Sequence, residues 1–175
     1  MRILIYSINY FPEPTGIGKY NGEMAEWLAN HGHEVVIITA PPYYPWWQVQ
    51  QPYSFWAYRT ELINQVKVYR CPIWVPHRLR GVKRLLHLFS FALASIPPLL
   101  IQLFKRPDII VVIEPTLFCA PAALGLARLS GARTWLHVQD FEVDAAMGLG
   151  LVKAKGAGRT AAIIESWLMS CFDRM

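Results

Sequence analysis

The sequence predicts an α/β protein built on a Rossmann-like, doubly wound parallel sheet, and three observations carry that expectation. Short, nearly continuous apolar runs rich in Val and Ile recur along the chain, as strands buried on both faces do. Segments with apolar residues three and four apart separate them, so strand and helix alternate. Polar stretches bearing Gly and Pro fall just after the strands, where open α/β sheets hold their ligands.

Arg2–Ile8 (RILIYSI) reads as the first strand, and Asn9–Gly16 (NYFPEPTG) as the turn-rich segment that ends it. Ile17, Tyr20, Met24, Trp27 and Leu28 then mark one face of a helix. Thr15 suits its N-cap, and Gly32 supplies the left-handed residue that closes it. Glu34–Thr39 (EVVIIT) is the second strand. Ala40–Asn64 is irregular, rich in Pro, Tyr and Trp, and long enough to mark a functional loop. Gln65–Cys71 alternates apolar and polar residues and reads as the third strand.

A helical region follows from about Arg80 to Phe104, its apolar run Leu85–Phe104 flanked by Lys83, Arg84 and by Lys105, Arg106. A spanning helix needs about 20 apolar residues. His87, Ser90, Ser95, Gln102 and the pair Pro97-Pro98 argue instead for an amphipathic helix broken at Pro97. Asp108–Ile113 is the fourth strand, Leu117–Ser130 an Ala-rich helix that Gly131 ends, and Arg133–Val138 the fifth strand, ending in Gln139-Asp140. A glycine-spaced connection, Gly148–Gly158, leads to a last helix over Thr160–Phe172, with Ile163, Ile164, Trp167, Leu168 and Cys171 on one side.

A length of 175 residues suits one domain. With 54% hydrophobic and 17% charged residues, the chain has ample apolar surface for a core, which excludes intrinsic disorder. The net charge of +5 suggests an anionic partner: nucleic acid, phospholipid or a sugar phosphate. Cys71, Cys119 and Cys171 have neither metal-ligand nor redox spacing, and read as reduced thiols of a cytoplasmic protein. The opening run Met1–Ile8 is too short for the apolar core of a signal peptide, so none is expected.

Four loops on one sheet edge are expected to converge on a single cleft: Pro12–Tyr20, Ala40–Trp47, Ile113–Phe118 and His137–Glu142. In the first, Gly16 and Gly18 let backbone approach a ligand, and the helix that follows offers free N–H groups to an anion. Lys19 reads either as a neutraliser of phosphate or as a solvated surface lysine. Neither a Walker A motif nor a GxGxxG fingerprint is present, since Gly22 falls one place late. His137, inside an apolar strand, reads more readily as a core histidine than as a catalytic one. Asp140 and Gln139 end that strand, where site residues collect, although Asp140 also suits a turn cap. Glu142 and Asp144 read as solvated charge, and Glu114-Pro115 as a pocket wall. No Ser-His-Asp order, metal cluster or HExxH motif is visible.

The segments PEPTGIGKY, HGHEVVIITAPPYYP, IEPTLFCAP and HVQDFEVDAAMGLG together resemble glycosyltransferase family 4, and within it the colanic acid biosynthesis fucosyltransferase group. The resemblance covers essentially the whole chain. It implies a GT-B enzyme of two Rossmann-like domains that transfers a sugar with retention from a nucleotide donor, without metal or cofactor. Residues 1–175 would form the N-terminal, acceptor-side domain, inactive without a donor-binding domain. Gly16 and Gly18 match the family's loop facing the donor diphosphate. Many members have a histidine at the end of the fifth strand, hydrogen-bonded to the transferring sugar. Gln139-Asp140 takes that place here, with His137 two residues earlier. A 6-deoxy sugar lacks the 6-hydroxyl that such a histidine holds, which suggests GDP-fucose as donor. Asp140 would orient acceptor or sugar. The implied acceptor is an oligosaccharide on a lipid diphosphate at the cytoplasmic face of the inner membrane. Arg78, Arg80, Lys83 and Arg84 would then be drawn to anionic lipid. The aromatic loop Tyr43, Tyr44, Trp46 and Trp47 would lie at that interface or stack on sugar. Two other classes compete: a nucleic-acid-binding module, for which the basic residues are scattered and no RNA motif appears, and a non-catalytic acceptor-binding subunit of a split glycosyltransferase.

Overall fold

The computed structural model describes residues 1–76, 82–114, 117–139 and 157–175. The first half contains β1 (Arg2–Tyr6), α1 (Gly16–Asn30), β2 (Glu34–Thr39), β3 (Arg59–Ile63) and β4 (Val66–Arg70). Two consecutive helices, α2 (Val82–Ala94) and α3 (Ile96–Lys105), lead to β5 (Ile109–Ile113). A 3₁₀ turn (Leu117–Cys119) opens α4 (Ala120–Ser130), followed by β6 (Arg133–His137) and α5 (Ala157–Ser170).

The six strands form one sheet of order β3-β4-β2-β1-β5-β6. β1 pairs in parallel with both β2 and β5, so the strand order reverses on either side of it. The carboxyl ends of β1, β2, β4, β5 and β6 therefore share one edge. The predicted sheet lacked one member: β3 lies inside the stretch read as loop and pairs antiparallel with β4. Its alternation is hidden because an edge strand leaves most of its side chains in water; Leu62 is 74% exposed.

The sheet is covered on both faces, as its apolar strands require. Leu4, Tyr6, Val36, Ile38, Ile110, Val112 and Leu136 point to the side packed by Leu88, Phe91, Leu99, Ala123 and Leu126 of α2, α3 and α4. Ile3, Ile5, Val35, Ile37, Val68 and Val111 point to the side packed by α1. The buried face of α1 is rotated from the predicted one: Ile17, Met24 and Leu28 do pack against the core, partly buried, at its border. Gly18, Asn21, Gly22, Ala25 and Ala29 face inward, while Tyr20 and Trp27 are exposed. Small residues let the helix backbone lie close to the sheet, which the larger apolar residues would prevent. Gly32 and Gly131 take positive φ and close α1 and α4, as expected.

The break in the α2–α3 pair falls at Ser95, with Pro97 and Pro98 in the first turn of α3, where proline is tolerated. Ser95 is fully buried, hydrogen-bonded to the Tyr6 hydroxyl and donating to the Ala92 carbonyl at 2.8 Å. That anchor, with buried His87, Phe91, Leu99 and Gln102, holds one long side of the pair against the sheet. α5 also departs from expectation. Ile163, Ile164 and Trp167 are each more than half exposed, and it is Glu165 that turns inward.

Candidate functional site

A cleft of about 270 Å³ opens at the carboxyl edge of the sheet, next to β1. Ile8, Asn9, Gly16 and Ile17 line one side, Tyr43, Tyr44 and Trp47 a second, and Arg84, His87 and Leu88 of α2 the third. The cleft thus lies at the position the strand order marks for a ligand.

The loop after β1 is braced from within. Asn21 on α1 donates to the Ser7 hydroxyl (2.9 Å) and the Asn9 carbonyl (3.2 Å). Glu13 is buried and accepts from three donors: the backbone N–H groups of Tyr43 (3.1 Å) and Tyr44 (3.0 Å), and the Asn9 amide (2.9 Å). Burial raises the Glu13 carboxyl above its ordinary range, against those hydrogen bonds, which favour the charged form. Glu13 therefore ties the PEPTG segment to the aromatic loop and sets the spacing of two cleft walls.

Gly16 adopts φ +60°, and a Cβ there would meet only the Tyr44 ring at 3.9 Å. The residue is glycine for its backbone conformation, and its surface stays open to the cleft. α1 begins there with Thr15 in extended conformation and no side chain capping the helix, which leaves its first N–H groups available to an anion.

The third wall centres on His87. Its Nδ1 lies 2.7 Å from the Trp74 carbonyl, which only accepts, so Nδ1 carries the proton. In the neutral ring Nε2 then accepts from the Tyr43 hydroxyl at 3.1 Å. Burial holds the imidazole pKa below its ordinary value, and the Arg84 charge pushes the same way, against the hydrogen bond to Trp74. The Tyr43, Trp47 and His87 rings cluster with centroids 5.0–5.9 Å apart, His87 edge-to-face with both others and Tyr43 tilted against Trp47.

Among the expected site residues, the structure brings Gly16, Tyr43 and Tyr44 into one cleft. Gly18 is not open to it: Glu13 occupies the space beside Gly18, its Oε2 2.6 Å and its Cβ 2.7 Å from where a Cβ would stand. Lys19 points to the far side of the loop, where it pairs with Glu23 at 3.8 Å and lines a separate hollow with Glu26 and Asn64. Glu114 is fully buried at the end of β5, its N–H donating to the His137 carbonyl at 3.0 Å. His137 is an exposed residue of edge strand β6 rather than a core histidine, because that strand buries only Thr134 and Leu136. Gln139 is likewise exposed. Neither lines the cleft. Arg84, expected to meet lipid, turns into the cleft, while Lys83 beside it is exposed. Asp140, Arg78, Arg80, Glu142 and Asp144 lie outside the described residues.

Sequence reading missed Asn9 and His87 as cleft residues, and Glu13 and Arg70 as supports behind them. Arg84, His87, Leu88 and Phe91 share one helical face, so a histidine on an otherwise apolar stripe was the available signal. Arg70 gave none, since it ends a strand like any surface cation. It is 1% exposed, paired with Glu61, and its guanidinium donates to the Ala40 carbonyl (3.1 Å) and the Phe11 carbonyl (2.6 Å).

A family model described as glycosyl transferase 4-like domain matches residues 15–175. A protein of Escherichia coli K12 described as a colanic acid biosynthesis glycosyl transferase, WcaI, is 57% identical over 167 residues, which is 95% of this chain and 41% of that protein. The chain thus spans less than half the length of this relative. Among solved structures, a UGT transferase from Siraitia grosvenorii in complex with UDP superposes with a TM-score of 0.45 at 14% identity, covering 78% of this chain and 27% of that one.

Proposed function

Because the chain belongs to the glycosyl transferase 4-like family, we propose that it is the acceptor-side half of a GT-B glycosyltransferase acting in colanic acid assembly. The observation that carries this reading is the 57% identity extending over 95% of the chain. In this reading the donor is a nucleotide sugar, GDP-fucose, and the acceptor an oligosaccharide on a lipid diphosphate, met at the cytoplasmic surface of the inner membrane. Transfer retains the anomeric configuration, and no resident cofactor takes part.

The chain's own contribution is positioning and charge. The first N–H groups of α1, beside Gly16, stabilise negative charge that grows on a leaving diphosphate. Tyr44 and Trp47 give the acceptor sugar an aromatic wall, and Asn9 a polar contact. Lys83, exposed at the start of α2, adds attraction to anionic lipid, typically about 1 kcal/mol per basic residue. Gln139 and Asp140 belong to the sugar-facing side of the family's site, where glutamine in place of histidine suits a donor with no 6-hydroxyl.

The test is a hybrid in which this chain replaces the matching part of the E. coli relative. Offered GDP-fucose, GDP-mannose and UDP-glucose with a lipid-diphosphate oligosaccharide, the hybrid is expected to transfer fucose alone. The 175-residue chain by itself is expected to transfer nothing. A folded hybrid that consumes none of the three donors overturns the reading. Equal use of GDP-mannose overturns the part assigned to Gln139.

A further inference from the structure

We propose that the hollow on the far side of the β1–α1 segment, away from the cleft, is a second carbohydrate subsite that takes one neutral pyranose unit. The inference goes beyond the functional reading above and does not depend on the cleft being the site of transfer.

The segment from Asn9 to Gly16 separates two concave surfaces. Its ends line the cleft, whereas Tyr10 to Pro14 line a hollow of about 410 Å³ whose other walls are α1 and the β3–β4 turn. That volume lies within the roughly 300–1,000 Å³ of small-molecule sites. The walls are fixed before any ligand arrives. Asn64 and Gln65 both take positive φ and make a two-residue turn between paired Ile63 and Val66. Asn64 then donates to Glu26 Oε2 at 3.0 Å, and Gln65 to Asn30 Oδ1 at 3.4 Å, which pins the turn to α1. Gly22 lets the segment lie equally close to the helix, since a Cβ there would stand 3.0 Å from the Phe11 Cβ.

The floor of the hollow holds a donor without a partner. Tyr10 is 2% exposed, and no described residue hydrogen-bonds its hydroxyl. Buried hydroxyls are nearly always satisfied, so this one calls for a partner from outside the chain. Burial pushes the phenol up to about 12 against the Arg70 charge, and Glu26 adds to the rise. The hydroxyl therefore keeps its proton and lies within electrostatic range of the rim carboxylate. That rim selects the ligand. Glu23 and Glu26 accept hydrogen bonds and Lys19 donates them, Lys19 being held only loosely by Glu23 at 3.8 Å. A cation in the hollow would meet the ammonium, and an anion the two carboxylates. A polyol meets neither penalty, because each of its hydroxyls both donates and accepts. Phe11, 46% exposed, adds a flat apolar surface beside these polar groups. A pyranose ring has the same two characters, hydroxyls around its edge and C–H groups across its face.

The experiment is a titration of the isotope-labelled chain with the methyl glycosides of glucose, galactose and fucose, followed by amide NMR shifts. At least one glycoside is expected to move the amides of Gly22 and Asn64 saturably while those of Gly16 and Trp47 stay in place. Tyr10→Phe removes only the unpartnered hydroxyl, so affinity is expected to fall about fivefold, the worth of one hydrogen bond. The urea midpoint of that variant is expected to stay level or rise; a hydroxyl that served the fold would lower it. Glu26→Gln is expected to weaken binding by a similar factor, and Phe11→Leu, which keeps bulk without a flat ring, to weaken it as well. No saturable shift at the hollow overturns the assignment, and so does an affinity that Tyr10→Phe leaves intact. Binding of methyl glucosaminide or of glucuronate about tenfold tighter than that of the glucoside also overturns it, because the hollow would then read charge. Shifts confined to Gly16 and Trp47 remove the hollow and leave the cleft as the sugar site. Sugar binding at the hollow beside a hybrid enzyme that transfers nothing leaves this site standing and sinks the functional reading alone.

Discussion

Gly16 and Gly18 stand two residues apart in one motif and are glycine for different reasons. The first needs a positive φ and faces the cleft; the second makes room for the side chain of Glu13. Spacing in a sequence does not separate these cases, because both demand a missing Cβ. Gly18→Ala sets a methyl group 2.7 Å from the Glu13 Cβ, an atom close to the backbone that cannot swing away. The expected cost is about 1–3 kcal/mol of stability, read as a lower urea midpoint, the usual range for overpacking a filled site. A midpoint within error of the native one would show that the loop yields freely. His87 supports a second prediction. Its folded pKa is depressed below 6.5, so the unfolded chain binds a proton that the folded one resists. Stability should therefore be level above about pH 7 and fall as the pH drops below about 6.5. His87→Gln should flatten that fall in urea titrations between about pH 7.5 and 5.5. An unchanged slope in the variant would assign the pH dependence to another group.

At the scale of elements, legibility followed burial. β1, β2 and β5 announce themselves because a parallel strand covered on both faces admits little but Val, Ile and Leu, whereas the strand read over Gln65–Cys71 shows itself by alternation, with Lys67 exposed between buried Val66 and Val68. β3 was invisible because an edge strand is half solvated and lay within an aromatic, Pro-rich stretch. The faces of helices were the harder problem. Periodicity finds a face, but it does not say whether that face meets the sheet, a cleft or something outside the chain. On α1 the small residues won the sheet, since close approach buries more of it than Tyr20 and Trp27 would allow. On α2 the apolar positions divide into an inner set with His87 and an outer set left bare, so one amphipathic pattern conceals two surfaces. Of the four loops expected at the candidate site, the two bearing Gly16, Tyr43 and Tyr44 line the cleft, whereas no described residue of the loops after β5 and β6 does. The α2 wall was not legible, because nothing in a sequence tells which loops a helix will roof.

Across the whole molecule, the sheet end that carries the cleft is tied together by one cation. Arg70 ends β4, yet its guanidinium reaches Glu61 on β3, the carbonyls of Phe11 after β1 and Ala40 after β2, and the Tyr53 ring in the long loop with 4.8 Å to the centroid. These partners come from several of the segments around the cleft's outer rim, so Arg70 is a positioning residue that touches no ligand itself. Breaking a buried ion pair by removing one member costs about 3–5 kcal/mol, and the 15% exposure of Glu61 places this pair toward the lower figure. Arg70→Met keeps the apolar stem of the side chain but takes the guanidinium from the Phe11 and Ala40 carbonyls and leaves the Glu61 carboxylate with Arg59 alone, at 3.4 Å. The expected result is a loss of about 3 kcal/mol in urea unfolding, with faster proteolytic cutting in the loop between β2 and β3 than global destabilisation alone produces. Adding Glu61→Leu removes a carboxylate that has lost its buried partner and keeps only the half-exposed Arg59, and should recover part of the stability. It should not recover the protease resistance, because the carbonyls of Phe11 and Ala40 still lack their partner. If the loop in Arg70→Met is cut no faster than in a destabilised control remote from it, such as Leu126→Ala in the core face of α4, Arg70 stabilises the sheet without shaping the site.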